Sequence, residues 1–573
     1  MTFIFDFFST PKKNSNIFLF LFLFFYGSIY SEEIKLEKSS KIQEIETHYK
    51  IYREKEASGD YKSALHEAKE ILLLSQKVFG EEHEYTGTFY NNVGMCLSHI
   101  GEYKQALDYL LLSLKVRKKV HGEKHEDVAV SYNNVGMVYY YLDDLNKAAF
   151  YYKEALDIQQ QLVGNDHPII AVISTSLGMT YQDLRLLDDS IRYYQKAIKI
   201  YLKNKNEDSL DLADNYNSIG TVYLEKKDYP KAKEYFEKAL FIRIKLSGEY
   251  DSEVATTYNN LGLSYHYLED YHKALQNYNK SLSIRFKVLG EMHPDTATTY
   301  SNIGRVYGKL SDYDNSLKYH SSALRIRKQT LNNNHPDIGD SYFNLGNVYY
   351  HKHDINQSID YFSRALEIQK IALKDNHPDT ASTYSGLGNA YFAKKDYPKA
   401  IQFYSQALNN RLRFSTDKQS EIATNYGNLG SSYNKNGDYD LAIVYLNKAL
   451  SIQYNSMGEN NSEVASIYTN LSQAYSSKQD YDSAISYYNK LLGMDPDLIG
   501  MDKEKYIVNL ERLGLLYERK GQIELSVRTL QKAIRLVLLN KTKLNDGRFT
   551  YTKKFKRIFK KILELYSQLD TIR

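Results

Sequence analysis

Histidines recur in one slot of a regular pattern in this chain, and repeated histidines suggest metal binding. Six of them lie 42 residues apart, or a multiple of that distance: His83, His125, His167, His293, His335 and His377. A zinc ion needs its ligands about 2 Å away, whereas equivalent positions on neighbouring packed helices lie about 8–10 Å apart. The spacing therefore argues against shared metal ions. We expect each imidazole to bond the local backbone where a helix begins.

Asparagines recur in a second slot of the same pattern. The row consists of Asn92, Asn134, Asn260, Asn302, Asn344, Asn428 and Asn470. An asparagine side chain offers a carbonyl acceptor and an amide donor, the same pair as a peptide group. Such a row suits an extended peptide backbone, which it would hold without recognising the side chains of that peptide. The alternative is that some of these asparagines bond neighbouring helices and stabilise the protein itself.

Sequence motifs that carry catalysis are absent. The chain has no phosphate loop, zinc-hydrolase helix or nucleophile elbow, and its glycines do not cluster as G-x-G-x-x-G. The single cysteine, Cys96, is interpreted as a small core residue. The formal net charge is only +4 and the lysines are evenly spread, which disfavours nucleic-acid binding. We therefore expect no catalytic residue, no cofactor, no metal and no nucleic-acid partner.

A glycine that recurs every 42 residues sets the register of both rows. It stands at Gly94, Gly136, Gly178, Gly220, Gly262, Gly304, Gly346, Gly388, Gly430 and Gly514, with Ser472 in the remaining slot. Positions are counted from this glycine, so that the asparagine row is at minus two. Tyrosines at minus four and plus three share one helical face. Acidic residues at plus eight suit the N-cap of a second helix. Each period therefore predicts one helical hairpin.

The pattern resembles the tetratricopeptide repeat (TPR), in which an aromatic residue, Leu-Gly and Tyr are followed by Ala, an aromatic residue and Ala. The 42-residue length, the YNNLG of 258–262 and the GEMHPD of 290–295 are similar to the repeats of kinesin light chains and their bacterial relatives. The resemblance implies an all-α TPR superhelical solenoid of about twelve helical hairpins over residues 44–540. We expect residues 541–573 to form a C-terminal capping helix; the alternative is a basic helix at a membrane surface.

The resemblance also implies where a ligand would bind. In that family the first helix of each hairpin lines a concave groove, with inward residues near minus six, minus three, minus two, plus one and plus five. Applied here, this rule places the asparagine row in the groove. Further groove residues at plus one and plus five would set specificity: Tyr141, Tyr267, Arg305, Lys309 and Asn347. The early groove is expected to be apolar and aromatic and the middle basic, which suits a ligand with an apolar half and an acidic half.

The N-terminal segment does not follow the repeat. Lys12 and Lys13 precede an apolar run over 17–26, and small residues follow up to Ser31. This order predicts a signal peptide or an uncleaved anchor over residues 1–31, followed by a short linker over 32–43. The apolar run is short for a membrane span. We expect an exported protein (periplasmic, cell-surface or secreted), with N-terminal membrane anchoring as the alternative.

The sequence thus predicts a non-enzymatic protein-interaction scaffold that binds protein or peptide segments in its groove. Membrane contact is expected only through an uncleaved N-terminal segment. The alternative is an intracellular cargo adaptor like the kinesin light chains. That family carries a long heptad coiled coil before its repeats, whereas residues 32–43 alone separate the apolar run from the first hairpin, which argues against a motor role.

Overall fold

The computed structural model describes residues 32–204, 208–373, 377–414, 419–459, 461–496, 499–541 and 548–572. Over these ranges all regular secondary structure is α-helical, in 25 helices. The signal or anchor segment expected over residues 1–31 lies outside the described residues. Of the described helices, none combines the length and apolar character needed to cross a membrane.

Contacts divide the chain into two compact units, the first ending at Gly290 and the second beginning at Glu291. The first unit holds α1 (Glu32–Ala57), α2 (Tyr61–Phe79), α3 (Glu84–His99), α4 (Tyr103–His121), α5 (Glu126–Tyr141), α6 (Leu145–Val163), α7 (Pro168–Asp183), α8 (Leu187–Lys203), α9 (Leu210–Glu225), α10 (Tyr229–Ser247), α11 (Ser252–Tyr267) and α12 (Tyr271–Val288). Helix α1 begins at Glu32, so the segment expected to be a linker, 32–43, is helical.

The second unit continues the same alternation and adds one helix at its end. It holds α13 (Pro294–Lys309), α14 (Tyr313–Thr330), α15 (Pro336–His351), α16 (Ile355–Leu373), α17 (Pro378–Ala393), α18 (Tyr397–Phe414), α19 (Gln419–Asn436), α20 (Tyr439–Met457), α21 (Ser462–Ser477), α22 (Tyr481–Gly493), α23 (Lys503–Arg519), α24 (Ile523–Lys541) and α25 (Arg548–Ile572). Odd-numbered helices up to α23 are the first helices of hairpins, and even-numbered ones are the second. The twelve predicted hairpins and the additional C-terminal helix are confirmed.

The recurring glycine is the point of closest approach between the paired helices. A Cβ atom built on Gly430 would lie 2.5 Å from Cγ of Leu446 on the second helix. A Cβ on Gly220 would lie 2.7 Å from the ring of Phe236. In the slot that holds serine, the Ser472 hydroxyl donates a hydrogen bond to the carbonyl of Ala484. The period therefore reflects a packing requirement, since any larger side chain would push the two helices apart.

In most hairpins the turn is closed by the predicted acidic cap, whereas Leu186 and Gln522 occupy that slot in two of them. Asp270 Oδ1, for example, accepts a hydrogen bond of 3.1 Å from the backbone N–H of Lys273 at the start of α12. The residue before the cap adopts a left-handed conformation, as Glu269 does with φ 61°. Glu102 and Asp438 occupy the cap slot without a side-chain capping bond. The other caps satisfy backbone donors that the first turn of a helix would otherwise leave unpaired.

Helix α25 covers the apolar face of the last hairpin. Its residues Ile558, Ile562 and Leu565 are at most 5% exposed and pack in one cluster with α23 and α24. Two ion pairs with α23 flank this contact, Arg557–Glu511 at 2.6 Å and Lys561–Glu518 at 2.8 Å. A C-terminal capping helix is therefore confirmed, over Arg548–Ile572, whereas Lys541, the first residue of the expected segment 541–573, belongs to α24.

Candidate ligand-binding groove

The first helices of the hairpins form one continuous side of each unit. Within a unit, most consecutive first helices contact one another directly, whereas consecutive second helices are less closely packed. A stack of hairpins with closer contacts on one side curves toward that side. The first helices therefore line the inner surface of each unit, which we call the groove.

The asparagine row lies on the first helices, and part of it is used within the stack. Three of its seven members donate through Nδ2 to the minus-three residue of the preceding hairpin. The pairs are Asn134–Asn91 at 2.9 Å, Asn260–Asn217 at 3.2 Å and Asn344–Ser301 at 3.4 Å. These bonds bear out the alternative interpretation for those three residues, since each links neighbouring hairpins.

The asparagines of the row also differ in how deeply they are buried. Asn134 and Asn302 are 3% and 8% exposed, which leaves little surface for a ligand. The other five are half-buried: Asn92, Asn260, Asn344, Asn428 and Asn470. Peptide binding by the row stays a prediction, and these five are the members that retain accessible surface.

Aromatic residues at plus five form stacked pairs between consecutive hairpins. Tyr141 stacks on Tyr103 with ring centroids 5.0 Å apart, and Tyr267 stacks on Tyr229 at 4.8 Å. Tyr267 remains 45% exposed. The partners at plus nine thus hold these rings in fixed orientations on the groove side, where a bound segment would find a rigid aromatic surface.

A cavity of about 520 Å³ lies beside Tyr141 in the first unit. Its lining residues are Tyr140, Tyr141, Asp143, Leu145, Gln182, Asp183, Arg185 and Glu225. The Tyr140 hydroxyl donates to Asp183 Oδ2 at 2.6 Å. This stretch is thus acidic as well as aromatic, contrary to the expected apolar surface. The expectation did not take account of Asp183 and Glu225, which stand at plus five.

The predicted basic residues in the middle of the chain lie on α13, while Asn347 lies half-buried on α15. Lys309 is exposed and Arg305 is half-buried. Burial, together with the positive charges of Arg305 and Arg327, lowers the pKa of His320 to about 3. His320 is 2% exposed and fills the space beside Gly304. Arg305 therefore lies on the groove side and also helps to lower the pKa of His320 inside the hairpin.

A second groove cavity, of about 340 Å³, lies near the end of the second unit. It is lined by Asn434, Lys435, Gln473, Ser476, Ser477, Tyr488, Arg512, Leu515, Leu516 and Arg519. Apart from Tyr488, these residues belong to three consecutive first helices, α19, α21 and α23. An adjoining cavity of about 740 Å³ shares Arg512 and includes Asn470.

Sequence reasoning missed two of the cations in this cavity. Arg512 occupies the minus-two slot and Arg519 the plus-five slot, but neither carries the residue type by which the rows were identified. Lys435 occupies plus five in the same way as Lys309. The position of these residues in the repeat, rather than their residue type, indicates that they lie in the groove.

A row of buried arginines was also missed, and its role is structural. Arg243 is 3% exposed and donates to the Glu253 carbonyl at 2.9 Å and to Thr257 Oγ1 at 2.6 Å. It also bonds Asp214 Oδ1 at 2.6 Å, so it joins helices α9, α10 and α11. Arg117 and Arg327 occupy the same slot and make matching bonds to the next first helix.

The recurring histidines cap the first helices, as expected. His293 Nδ1 accepts a hydrogen bond of 3.2 Å from the backbone N–H of Asp295, and the other five make the same contact at 3.2–3.3 Å. One group of three potential metal ligands does come together: His121, His125 and Asp127. The two imidazoles are stacked, 4.1 Å apart and 12° from parallel. Because a metal binds in the plane of an imidazole ring, these rings do not converge on one ion.

Comparison with known proteins identifies the repeat. A family model described as tetratricopeptide repeat matches residues 55–119, 85–161, 169–245, 253–329, 295–371, 337–413 and 421–497. A second model of the same description matches residues 509–536. No match was found among curated proteins.

Several solved structures are similar to parts of the chain. BtubC (BKLC) from P. vanneervenii is 22% identical over 42% of this chain and 92% of its own, with a TM-score of 0.36. A protein of Podosopora anserina with nearly identical TPR-like repeats of kinesin-light-chain type is 17% identical over 36% and 97%, with a TM-score of 0.33. The apo form of RapI is 19% identical over 50% and 97%, with a TM-score of 0.39.

Proposed function

The chain belongs to the tetratricopeptide repeat proteins, and from that premise we propose that its groove binds an extended segment of a partner protein. Repeats of this kind make the protein an interaction scaffold. The finer proposal concerns which surface is used and what form the bound segment takes.

The observation that carries the proposal is the position of three cavities; a further one, of about 570 Å³, is lined by residues of α8, α9 and α10 and includes Phe241. Those of about 520, 340 and 740 Å³ all lie along first helices, and each extends across consecutive hairpins. An extended peptide advances about 3.3 Å per residue, and packed helices lie about 8–10 Å apart. Roughly three ligand residues would therefore span one hairpin, so a short segment would contact several repeats.

The chemistry of the groove suits this kind of ligand. Half-buried asparagines such as Asn92 and Asn428 can pair with peptide N–H and C=O groups. Stacked tyrosines such as Tyr267 offer a large rigid contact area. Binding and release without covalent chemistry is the proposed activity.

Selection of peptides from a random library against the full chain tests the proposal. Selected peptides should bind wild type, and their binding should be weakened by Tyr141→Ala combined with Tyr267→Ala. The matched control is Phe241→Ala on the second helix α10, where the side chain is 69% exposed. Peptides that lose binding to the Phe241 variant and keep it with the tyrosine variant would overturn the groove assignment.

Export is proposed on the amino-acid sequence of residues 1–31, which combines basic residues, a short apolar run and small residues. Fractionation of cells that produce the protein with a C-terminal tag tests it. Export predicts a protein shortened at its N-terminus in an envelope or secreted fraction. An uncleaved cytosolic protein would overturn export and favour the intracellular adaptor.

A further inference from the structure

Helix α25 has a second apolar face besides the one that covers the last hairpin. The residues that pack on α23 and α24 are buried, whereas Phe559, Leu563 and Tyr566 are 45%, 54% and 43% exposed. These three are spaced four and three residues apart, which places them along one side of the helix. The capping role accounts for the buried face of α25 and leaves the exposed face without a function.

Helix α24 extends this exposed face. The Gln531 side chain donates a hydrogen bond of 2.7 Å through Nε2 to the Tyr566 hydroxyl. Leu538 follows Gln531 by seven residues, about two helical turns, and Phe559 precedes Tyr566 by the same number. Because consecutive packed helices with a short connection run antiparallel, Leu538, itself 48% exposed, lies at the level of Phe559. We call Leu538, Phe559, Leu563 and Tyr566 the terminal patch.

Exposed cations border the terminal patch on both helices. They are Arg528 and Arg535 on α24 and Lys556 and Lys560 on α25. Lys556 lies three residues before Phe559 and therefore on the same side of α25. The same spacing relates Arg535 to Leu538 on α24. Among the described residues none of these four cations takes part in an ion pair, whereas the cations of α25 that face α23 are paired.

Positive charge is concentrated in this part of the chain. Although lysines occur in every repeat, residues 523–573 contain 13 Lys and Arg and only four Asp and Glu, a net charge of +9. The whole chain carries +4, so residues 1–522 are negative overall. The C-terminal helices would therefore attract an anionic partner more strongly than the rest of the chain does.

The combination of aliphatic, aromatic and cationic side chains narrows the kind of anionic partner. Helices that lie in a membrane interface place leucine and phenylalanine below the lipid headgroups, while lysine and arginine remain at the level of the headgroups. A nucleic acid would pair with the cations but offers no hydrocarbon layer to Leu538 and Leu563. An interfacial position also requires no membrane-spanning helix, and none of the described helices is of that kind.

We propose that the terminal patch binds the surface of a membrane that contains anionic lipids. Leu538, Phe559 and Leu563 would enter the interfacial layer, and the bordering cations would contact lipid phosphates. A cap and a membrane-surface helix are compatible interpretations of α25, because they use different faces of it. This contact is additional to the one expected at residues 1–31, and it does not depend on the proposed groove function.

Sedimentation of the full chain with lipid vesicles tests the proposal. The vesicles consist of phosphatidylcholine alone or of phosphatidylcholine and phosphatidylglycerol in equal parts. We expect wild type to bind the anionic vesicles about ten-fold more tightly than the neutral ones. The difference should shrink at high salt, because salt screens exposed charges. Equal binding to the two kinds of vesicle would overturn the proposal.

Two double variants locate the binding on the terminal patch. Phe559→Ser with Leu563→Ser removes apolar contact, and Lys556→Gln with Lys560→Gln removes two positive charges. Each should weaken binding to anionic vesicles about ten-fold, whereas a contact through residues 1–31 would be unaffected. All four side chains are exposed, so neither variant should change the melting temperature.

Matched controls carry the same substitutions elsewhere. Phe241→Ser with Leu412→Ser replaces side chains that are 69% and 52% exposed on other second helices. Lys478→Gln with Lys520→Gln removes the same charge from exposed lysines outside the terminal patch. Both controls should bind anionic vesicles as wild type does. Controls that lose binding to the same extent as the patch variants would overturn the assignment to this surface.

A labelled single-stranded DNA separates membrane binding from general binding of polyanions. We expect the Phe559–Leu563 variant to weaken vesicle binding and to leave any DNA binding unchanged. If only the lysine variant had an effect, and the same effect on vesicles and on DNA, the surface would bind polyanions in general and the membrane proposal would be wrong.

Discussion

Asn260 donates a hydrogen bond of 3.2 Å to Asn217 across the boundary between two consecutive hairpins. The two asparagines are 43 residues apart, one more than the repeat period, so the bond joins a minus-two slot to a minus-three slot. One residue type thus serves as donor on one hairpin and as acceptor on the previous one. The groove and the interface between hairpins are therefore built partly from the same side chains.

We expect Asn260→Ala to reduce the free energy of unfolding by about 0.5–1.5 kcal/mol, the net value of a typical hydrogen bond. Asn217→Ala should then cost little more when Asn260 is already absent, which a double-mutant cycle measures. Asn92→Ala is the control, because no described residue bonds this side chain. Strictly additive effects of the Asn260 and Asn217 changes would show that the bond contributes nothing to stability.

Two glycines on helix α19 should respond oppositely to alanine. A Cβ on Gly430 would lie 2.5 Å from Leu446, whereas a Cβ on Gly427 would meet no atom within 4 Å. We expect Gly430→Ala to destabilise the protein by about 1–3 kcal/mol through overpacking. Gly427→Ala should stabilise it by up to about 1 kcal/mol, because alanine favours the helix. Denaturant titration measures both, and similar changes for the two variants would contradict the packing role of the slot.

His320 should make the stability of the second unit sensitive to acid. Burial and the nearby charges of Arg305 and Arg327 lower its pKa to about 3, from an ordinary value of 6.5. The unfolded chain therefore binds a proton between pH 6.5 and 3 that the folded chain does not, so stability falls as the pH falls through this range. At pH 5 the expected loss is about 2 kcal/mol.

The variant His320→Phe tests this effect, because phenylalanine occupies the same slot at Phe236 and Phe362. The difference in unfolding free energy between wild type and variant should change by about 2 kcal/mol between pH 7.5 and pH 5. A difference that is the same at both pH values would mean that His320 does not titrate on unfolding in this range.

The capping role of α25 is tested by two adjacent residues. Ile562 is 5% exposed and packs on the last hairpin, whereas Leu563 is 54% exposed. Ile562→Asp would bury an unpaired carboxylate, and we expect a loss of about 3 kcal/mol or more together with aggregation. Leu563→Asp should change stability by less than about 0.5 kcal/mol. Equal melting temperatures for the two variants, measured by circular dichroism, would contradict the cap.

The hairpins and their boundaries could be predicted because a single packing requirement repeats. The contact of Gly220 with Phe236 and the cap made by Asp270 are local to one period, and the sequence shows both directly. The bond from Asn134 to Asn91 was not predicted in detail, because it depends on how far one hairpin rotates and rises relative to the previous one. That displacement offsets the bonded pair by one residue from the period, which no comparison of equivalent slots reveals.

The groove was predicted less completely for a related reason. A row is recognised because one residue type recurs in one slot of the repeat. A ligand site depends instead on which side chains lie close together in the folded protein. Asp183, Arg512 and Arg519 occupy groove slots but break the rows. Their contribution to the charge of the groove depends on how the fold places consecutive first helices side by side.

The buried guanidinium of Arg243 gives the array an unexpected tolerance to changes in length. Its bonds reach only the adjoining helices α9 and α11, and its counterparts Arg117 and Arg327 make matching bonds to the next first helix. Hairpin boundaries that share these bonds are interchangeable. Deleting or duplicating a whole 42-residue repeat between them would join two hairpins through the same arginine contacts. The length of segment that the groove is proposed to bind would thereby change in steps of about three residues, without a change in any single contact.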